Sequence, residues 1–446
     1  MQTTAALSAG AVLSSVIGCS SEEKTENAIK VKNWAGNLTY STGDLSYPTD
    51  VTEIQQLVKD HDKLRGLGTQ HCFNTIADSK YHLLSQMKRQ KLIQIDQENS
   101  QAIIEAGTRY GDFSKIIDEA GFALRNLASL PHISVVGAAA TSTHGSGVGN
   151  GSLATEVAAF ELIKANGDLV ILDRNQDPDL FNAIAVHLGC LGIISKVTLD
   201  LVPGYQVEQR VYRNMPMDAQ ETHFEEIMSA GYSVSLFTDW QNRNINQVWI
   251  KSRTDEEKIM KDPEFFGAQL ADRDMHPIDS ESAENCTPQM GVAGPWYERL
   301  PHFKMDFMPS KGDELQAEFF VPFEDAWKAI STVEKLHADI APHLFITEIR
   351  SIAEDNIWMS PFNGQKSIAI HFTLKPHKEV YTQLLPKIEA ALQPFNVKPH
   401  WGKLFTMAPK TLQSKYSRLA DFKEIVAEFD PEGKFRNEFI QKNLYS

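Results

Sequence analysis

His71 closes a short loop of small residues, Leu64-Arg65-Gly66-Leu67-Gly68-Thr69-Gln70-His71-Cys72-Phe73-Asn74. Glycines at 66 and 68 let backbone N–H groups approach an anionic group closely. A dinucleotide-binding turn would carry its third glycine at position 71. An imidazole there can instead be a base, a ligand or a covalent anchor. Taken alone, such a pattern is more often a plain turn with a surface histidine.

A second stretch, residues 126–149, has few bulky side chains: Asn126-Leu127-Ala128-Ser129-Leu130-Pro131-His132-Ile133-Ser134, then Val135 to Gly149. A packed helix or strand gains little from such a composition, whereas a backbone wrapped round a phosphate-bearing group does. It fits neither a dinucleotide fingerprint, since Asn150 stands where the third glycine belongs, nor a Walker loop. A flexible Gly/Ser loop is the plain alternative. Three pairs of polar residues follow at strand spacing or in a short run: Glu348 with Arg350, His371 with Thr373, and His400 with Lys403. On a strand, residues two apart share a face. Each pair alone more often marks a solvated or structural contact than a site.

The elements that would position these residues can be read from periodicity. Asp50 caps a helix whose apolar stripe is Val51, Ile54, Leu57 and Val58, with Glu53 three residues on. Residues 64–67 form a short strand leading into the His71 loop. Residues 92–95 and 102–106 are strands, and 111–121 is a helix with Phe113, Ile116, Ile117 and Ala120 inward. Asn166-Gly167 turns a hairpin between 160–165 and 168–172. Residues 179–188 are helical, with Cys190 in the same apolar pattern, and 193–202 is a strand ending at Pro203-Gly204, the first domain boundary. Beyond it, strands at 232–237, 247–250, 314–321, 345–352 and 367–374, with a helix at 323–337, make an α+β region with an antiparallel sheet.

The 446 residues carry a net charge of −15 and a pI near 5.4. An acidic surface repels phosphate backbones, so nucleic acid is not an expected partner. The four cysteines, Cys19, Cys72, Cys190 and Cys286, show no metal-ligand or disulfide-framework spacing. His132 and His144 also fit no common ligand pattern, and no metal is expected. Residues 5–18 are apolar and small, and they end Val16-Ile17-Gly18-Cys19, like a lipoprotein cleavage box, although no Lys or Arg precedes Lys24. Cys19 is accordingly expected to carry a lipid anchor, with residues 20–32 as a tether and the body in the bacterial periplasm or outer envelope.

Taken in order, the segments Asn33 to Asn37, the His71 loop, 128–149, 232–240, 294–303, Glu348-Ile349-Arg350, His371-Phe372-Thr373, 400–403 and Asp430 to Phe435 resemble one family. The chain is similar, over nearly its whole length after residue 33, to the aldonolactone oxidoreductase group of the vanillyl-alcohol-oxidase flavoprotein superfamily, and within it to the bacterial alditol oxidases. The resemblance implies an α+β, two-domain, PCMH-type FAD-binding fold with an antiparallel-sheet substrate (cap) domain. Its parts would be residues 33–204 for FAD, 205–398 for substrate and 399–446 returning to the FAD site.

The resemblance also implies roles. His71 would bind FAD covalently, although Gln70 and Cys72 replace the flanking residues usual in the family. Gly66, Gly68, Thr69, Gln70, Cys72, Ser129, Ser134, Gly137, Thr141, Thr143, Gly145, Ser146, Ile193 and Ile194 would complete the FAD contacts. Ser129, Glu348, Arg350, Thr373 and Lys403 would bind a polyol. Arg350 and Lys403 would stabilise its C1 oxygen, Glu348 would orient it, and His371 is a candidate proton acceptor. Ala128 stands where the family gates oxygen. The expected activity is oxidation of a terminal alcohol of an alditol to an aldose by a monomer, with O2 or another electron acceptor. A sugar-1,4-lactone oxidase or dehydrogenase, or a non-catalytic lipid-anchored sugar-binding flavoprotein, are the alternatives.

Overall fold

The computed structural model describes residues 30–256, 259–307 and 314–446. The lipoprotein-like segment with Cys19 lies outside the described residues. Among those described, no helix is long and apolar enough to cross a membrane.

The N-terminal region contains two sheets and a short antiparallel ribbon, Phe122–Ala123 with Val202–Pro203. Leu45–Ser46, His82–Ser85 and Leu64–Leu67 pair in parallel, in that order. A second, antiparallel sheet has the order Leu92–Asp96, Gln101–Glu105, Ile193–Asp200, Val157–Ile163 and Leu169–Asp173. Its last hairpin turns at Asn166-Gly167, where Gly167 has φ +85, the left-handed geometry that a tight hairpin turn requires. The helix Val51–Asp60 starts as the sequence suggests: Asp50 Oδ1 accepts from Glu53 N at 2.9 Å.

Three local readings differ from the structure. Ile116, expected inward on the helix Tyr110–Glu119, is 47% exposed. Tyr110, Phe113 and Ile117 fill the buried stripe at spacings of three, four and seven, which leaves position 116 outside it. The helix expected at 179–188 stops at Ile184, so Cys190 is buried in a turn rather than on a helix. Val135–Ala140, read as too small-featured for regular structure, is a short helix. Its alanines are the strongest helix formers, and Val135, Ala138 and Ala139 bury themselves in the core.

The second region is one large sheet. Its order is Glu264–Phe265, Ala268–Leu270, Gln206–Pro216, Asn244–Arg253, Ser233–Thr238, Leu344–Ile352, Ser367–Leu374, Leu315–Pro322 and Lys398–Pro399, all pairs antiparallel. Residues of the helices Ala219–Met228, Ala326–Glu334 and Leu385–Leu392 share one core with its strands. Polar side chains on its central strands face the first region.

The end of the chain ties the regions together. Trp401, Leu412, Tyr416, Phe422 and Val426 bury themselves in the core of the first region. Phe435 O accepts from Arg65 Nη1 at 2.9 Å. Arg65 is itself buried and also donates to Ile76 O and Gly189 O, each at 2.6 Å. One guanidinium thus satisfies carbonyls from three loops directly beneath the His71 turn.

Candidate active site

Between the regions lies a cavity of about 550 Å³ whose wall includes both the His71 loop and the central strands of the large sheet. On the first side the wall includes Gly66, Gly68, Thr69, Gln70, His71 and Cys72. Ala128, Ser129, Ser134, Gly137, Thr141 and Thr143 join them, as do Ile193 and Ile194. The two loops are stitched together where Ser134 N donates to Thr69 Oγ1 at 3.0 Å. A Cβ at Gly68 would lie 2.6 Å from Ser134 Oγ, so any larger residue there must turn the Ser134 hydroxyl away.

Two expected contacts fall outside this wall. Gly145 packs its α-carbon against Asn126 and Leu127 O, and Ser146 Oγ donates to Val234 O of the large sheet. Ser146 thus ties the two regions together, while Gly145 packs within the first. The sequence could place them in a glycine-rich stretch but not say which way each one turns.

His71 stacks on Trp34, ring centroids 5.0 Å apart. Both of its ring nitrogens are buried, and neither makes a hydrogen bond of good geometry. Burial pushes the imidazole down to about 4, the Thr69 backbone opposing it and the nearby His132 and Arg109 adding to it, so it is neutral at pH 7. Gln70, just before it, has φ +64, the left-handed region where side chains other than glycine are rarely found. Burial pushes the neighbouring Cys72 thiol up to about 11, which keeps it protonated.

The opposite wall follows from strand register. Glu348, His371 and Glu318 stand side by side on three adjacent strands. Thr373 and Gln316 form the next row on the same face. Arg350 follows Glu348 on its own strand by the period of two, as the sequence spacing indicated. Lys403 arrives from the loop after the Lys398–Pro399 strand, whose backbone is held by His400 N to Glu318 O at 3.0 Å and Leu404 N to Gln316 O at 2.9 Å.

Glu318, which the sequence reading passed over, is the hub. Its carboxylate meets Lys403 Nζ at 2.8 Å, Arg350 Nη2 at 2.9 Å, His144 Nε2 at 3.3 Å and His371 Nδ1 at 3.6 Å. Burial alone would raise its carboxyl, but Lys403 above all, then His144 and Arg350, hold it well below the usual carboxylate range. A visible signal existed: a lone carboxylate in the apolar run Ala317-Glu318-Phe319-Phe320 is costly to bury unless it is paired.

Glu348 accepts from His302 Nε2 at 2.8 Å and lies 3.6 Å from Arg350 Nε. Despite burial, the Arg350 guanidinium and His302 keep it ionised. Behind it, the buried Lys251 donates to His302 Nδ1 at 3.1 Å. Arg350 Nη1 reaches across to Ser129 Oγ at 3.3 Å. Lys403 Nζ donates to His371 Nδ1 at 2.6 Å, so His371 Nε2 carries the proton and donates to Thr373 Oγ1 at 3.2 Å. Both nitrogens of His371 are therefore engaged. His132, by contrast, is drawn off to Met305 O at 2.6 Å.

These buried neutral imidazoles have a measurable consequence. Burial lowers both His302 and His371 to about 4, below the ordinary 6.5. Between these values the unfolded chain binds protons that the folded chain refuses, so stability falls as pH falls. It is complete above pH 6.5 and is lost towards pH 4, by roughly 3 kcal/mol for each histidine. The thermal transition of the protein should drop steeply over that interval. A transition temperature that stays level there would contradict the assignment.

The cavity suits a flavin. An orphaned buried imidazole faces it, small residues line one wall, and both regions close on it. Over 93% of this chain and 96% of that chain, the fold matches Brevibacterium sterolicum cholesterol oxidase with a TM-score of 0.73 at 13% identity. Residues 45–173 match the FAD binding domain model and residues 307–443 the D-arabinono-1,4-lactone oxidase model. Fold and matches together define an FAD-dependent oxidoreductase of the PCMH-type flavoprotein superfamily.

Among curated proteins, the chain is 40% identical to alditol oxidase of Streptomyces sp., covering 93% of this chain and 99% of that protein. It is 23% identical to mouse (Mus musculus) L-gulonolactone oxidase, over 94% of this chain and 98% of the relative. The chain belongs to the alditol oxidase family.

Proposed function

We propose that the protein oxidises the terminal alcohol of an alditol to an aldehyde, with O2 as the acceptor. The observation that supports this most directly is the pair of cations, Arg350 and Lys403, placed by ionised carboxylates on the cavity wall opposite His71. Bound FAD supplies the hydride acceptor. Lys403 and Arg350 donate hydrogen bonds to the C1 oxygen and stabilise the negative charge that develops there. Glu348, kept ionised, accepts from the neighbouring hydroxyl and orients the chain. Ser129 and Thr373 meet hydroxyls further along. His371, with both nitrogens engaged, positions Lys403 and Thr373 rather than taking the substrate proton.

His71, neutral and with two free ring nitrogens, is the tether for the flavin, since the Cys72 thiol is held protonated. After acid precipitation, flavin should remain in the protein pellet. Gln70→Gly should retain it, because glycine adopts φ +64 without strain. Gln70→Val should release most of it, because a branched side chain resists that geometry. Equal retention in both variants would separate the backbone turn from the bond.

The substrate class is tested by anaerobic flavin bleaching with xylitol, sorbitol and an aldonolactone. Bleaching by the alditols, with hydrogen peroxide formed on admitting air, is the expected result. Bleaching by the lactone alone would replace this reading with that of a sugar-lactone oxidase or dehydrogenase. Anchoring to the bacterial envelope through Cys19 is proposed on the lipobox-like sequence. Its test is the mass of the mature N-terminal peptide, which an unmodified Cys19 would refute.

A further inference from the structure

Asp44, His61 and His82 meet at the end of the small parallel sheet that is remote from the cavity. Asp44 precedes the strand Leu45–Ser46, His61 is where the helix Val51–Asp60 stops, and His82 opens the strand His82–Ser85. One ligand-capable atom from each lies within 4.8 Å of the other two. His82 Nδ1 is 3.0 Å from Asp44 Oδ2, and the two imidazoles stack with centroids 3.9 Å apart.

Two independent features point to a ligand. His82 is only 2% exposed, yet neither ring nitrogen makes a hydrogen bond of acceptable geometry. A buried polar group left this way is costly and calls for a partner. His61 supplies the second feature: its Nδ1 lies 2.8 Å from Leu57 O. A carbonyl can only accept, so Nδ1 carries the proton and Nε2 keeps its lone pair. That tautomer, oriented by a backbone carbonyl, is the one found in metal-ligating histidines. Exposed Asp44 adds a negative charge and a route from solvent.

We propose that Asp44, His61 and His82 bind a divalent transition-metal ion of the zinc type. Two imidazole nitrogens and one carboxylate oxygen suit such an ion and leave one position for water. A single carboxylate is too few oxygen ligands for calcium. Metal–ligand bonds of about 2.0–2.1 Å would draw the three side chains closer than they stand here. The ion would clamp three chain segments to one another. Two of the strands concerned, Leu64–Leu67 and His82–Ser85, run parallel away from it. At their far ends they deliver the His71 loop and Gln86 to the cavity. The ion would therefore brace the flavin loop from behind, without touching the chemistry. The cluster escapes sequence inspection because its members are widely separated and match no ligand spacing.

The test uses full-length flavin-loaded protein, stripped of metal by a chelator and titrated calorimetrically with Zn2+ alone. His343 and His377 sit with Nδ1 atoms 2.9 Å apart at the surface and could bind zinc adventitiously. The titration is therefore made in a His343→Gln/His377→Gln background. One Zn2+ per chain is expected, with a rise in thermal transition temperature. Asp44→Asn and His61→Gln, at positions that reach solvent, should each weaken binding by about tenfold or more. An isotherm unchanged by both substitutions, or no saturable binding, would overturn the proposal and leave a histidine–aspartate contact linked only to protons.

Discussion

Lys403→Met is expected to lower kcat/KM for the polyol by about a hundred- to a thousandfold, the usual loss when one donor to a developing oxyanion is removed. The ammonium stands 2.8 Å from Glu318 and 2.6 Å from His371 Nδ1, so its position is fixed before substrate arrives. Methionine fills similar space but donates nothing. The loss should fall mainly on kcat, because the interaction strengthens as charge develops on the C1 oxygen. Flavin content should not change, because Lys403 is tied to the His71 loop through its backbone carbonyl, which accepts from Asn74 Nδ2 at 2.6 Å and which methionine keeps. A variant that loses flavin in step with activity would show that Lys403 supports the fold and not the reaction.

Glu318→Gln should destabilise the protein by about 3–5 kcal/mol, the range for removing one partner of a buried ion pair. The carboxylate is 1% exposed and faces Lys403, Arg350, His144 and His371. Glutamine preserves the shape but leaves two buried cations sharing Glu348. Thermal and denaturant midpoints of the flavin-loaded variant measure the loss. Retained stability would mean that Lys403 gives up its proton when Glu318 is neutralised. A pH–rate profile would then show activity falling at neutral pH and recovering on acidification.

The parts of the site legible in the sequence were those governed by local periodicity. Glu348 with Arg350 and His371 with Thr373 obey the alternation of a strand, and the structure turns each pair to one face. The His71 loop and Lys403 stood out by residue type and spacing, and their roles came through the resemblance. Glu318 was not found, because what makes it central is register across three strands. That register follows from pairing between segments far apart in the chain, which no local window contains. Gln70 was noticed as a departure, but its meaning needed a backbone angle: the turn before His71 is left-handed, and glutamine adopts it at a cost. Gly145 and Ser146 show the opposite limit. Their loop was legible, but the direction of each residue within it was set by packing against Asn126, Leu127 and Val234.

The closing of the structure by its own tail sets the timing of assembly. The strands around His71 are synthesised early, whereas Lys403, Trp401 and the Phe435 carbonyl that holds Arg65 follow more than 300 residues later. At about 5–20 residues per second, the N-terminal strands exist well before the residues that seal the cavity. A nascent chain therefore offers an open half-site, and a closed one arises only once residues 401–435 have emerged. Flavin capture is thereby tied to the late-made half of the site rather than to the loop that carries His71.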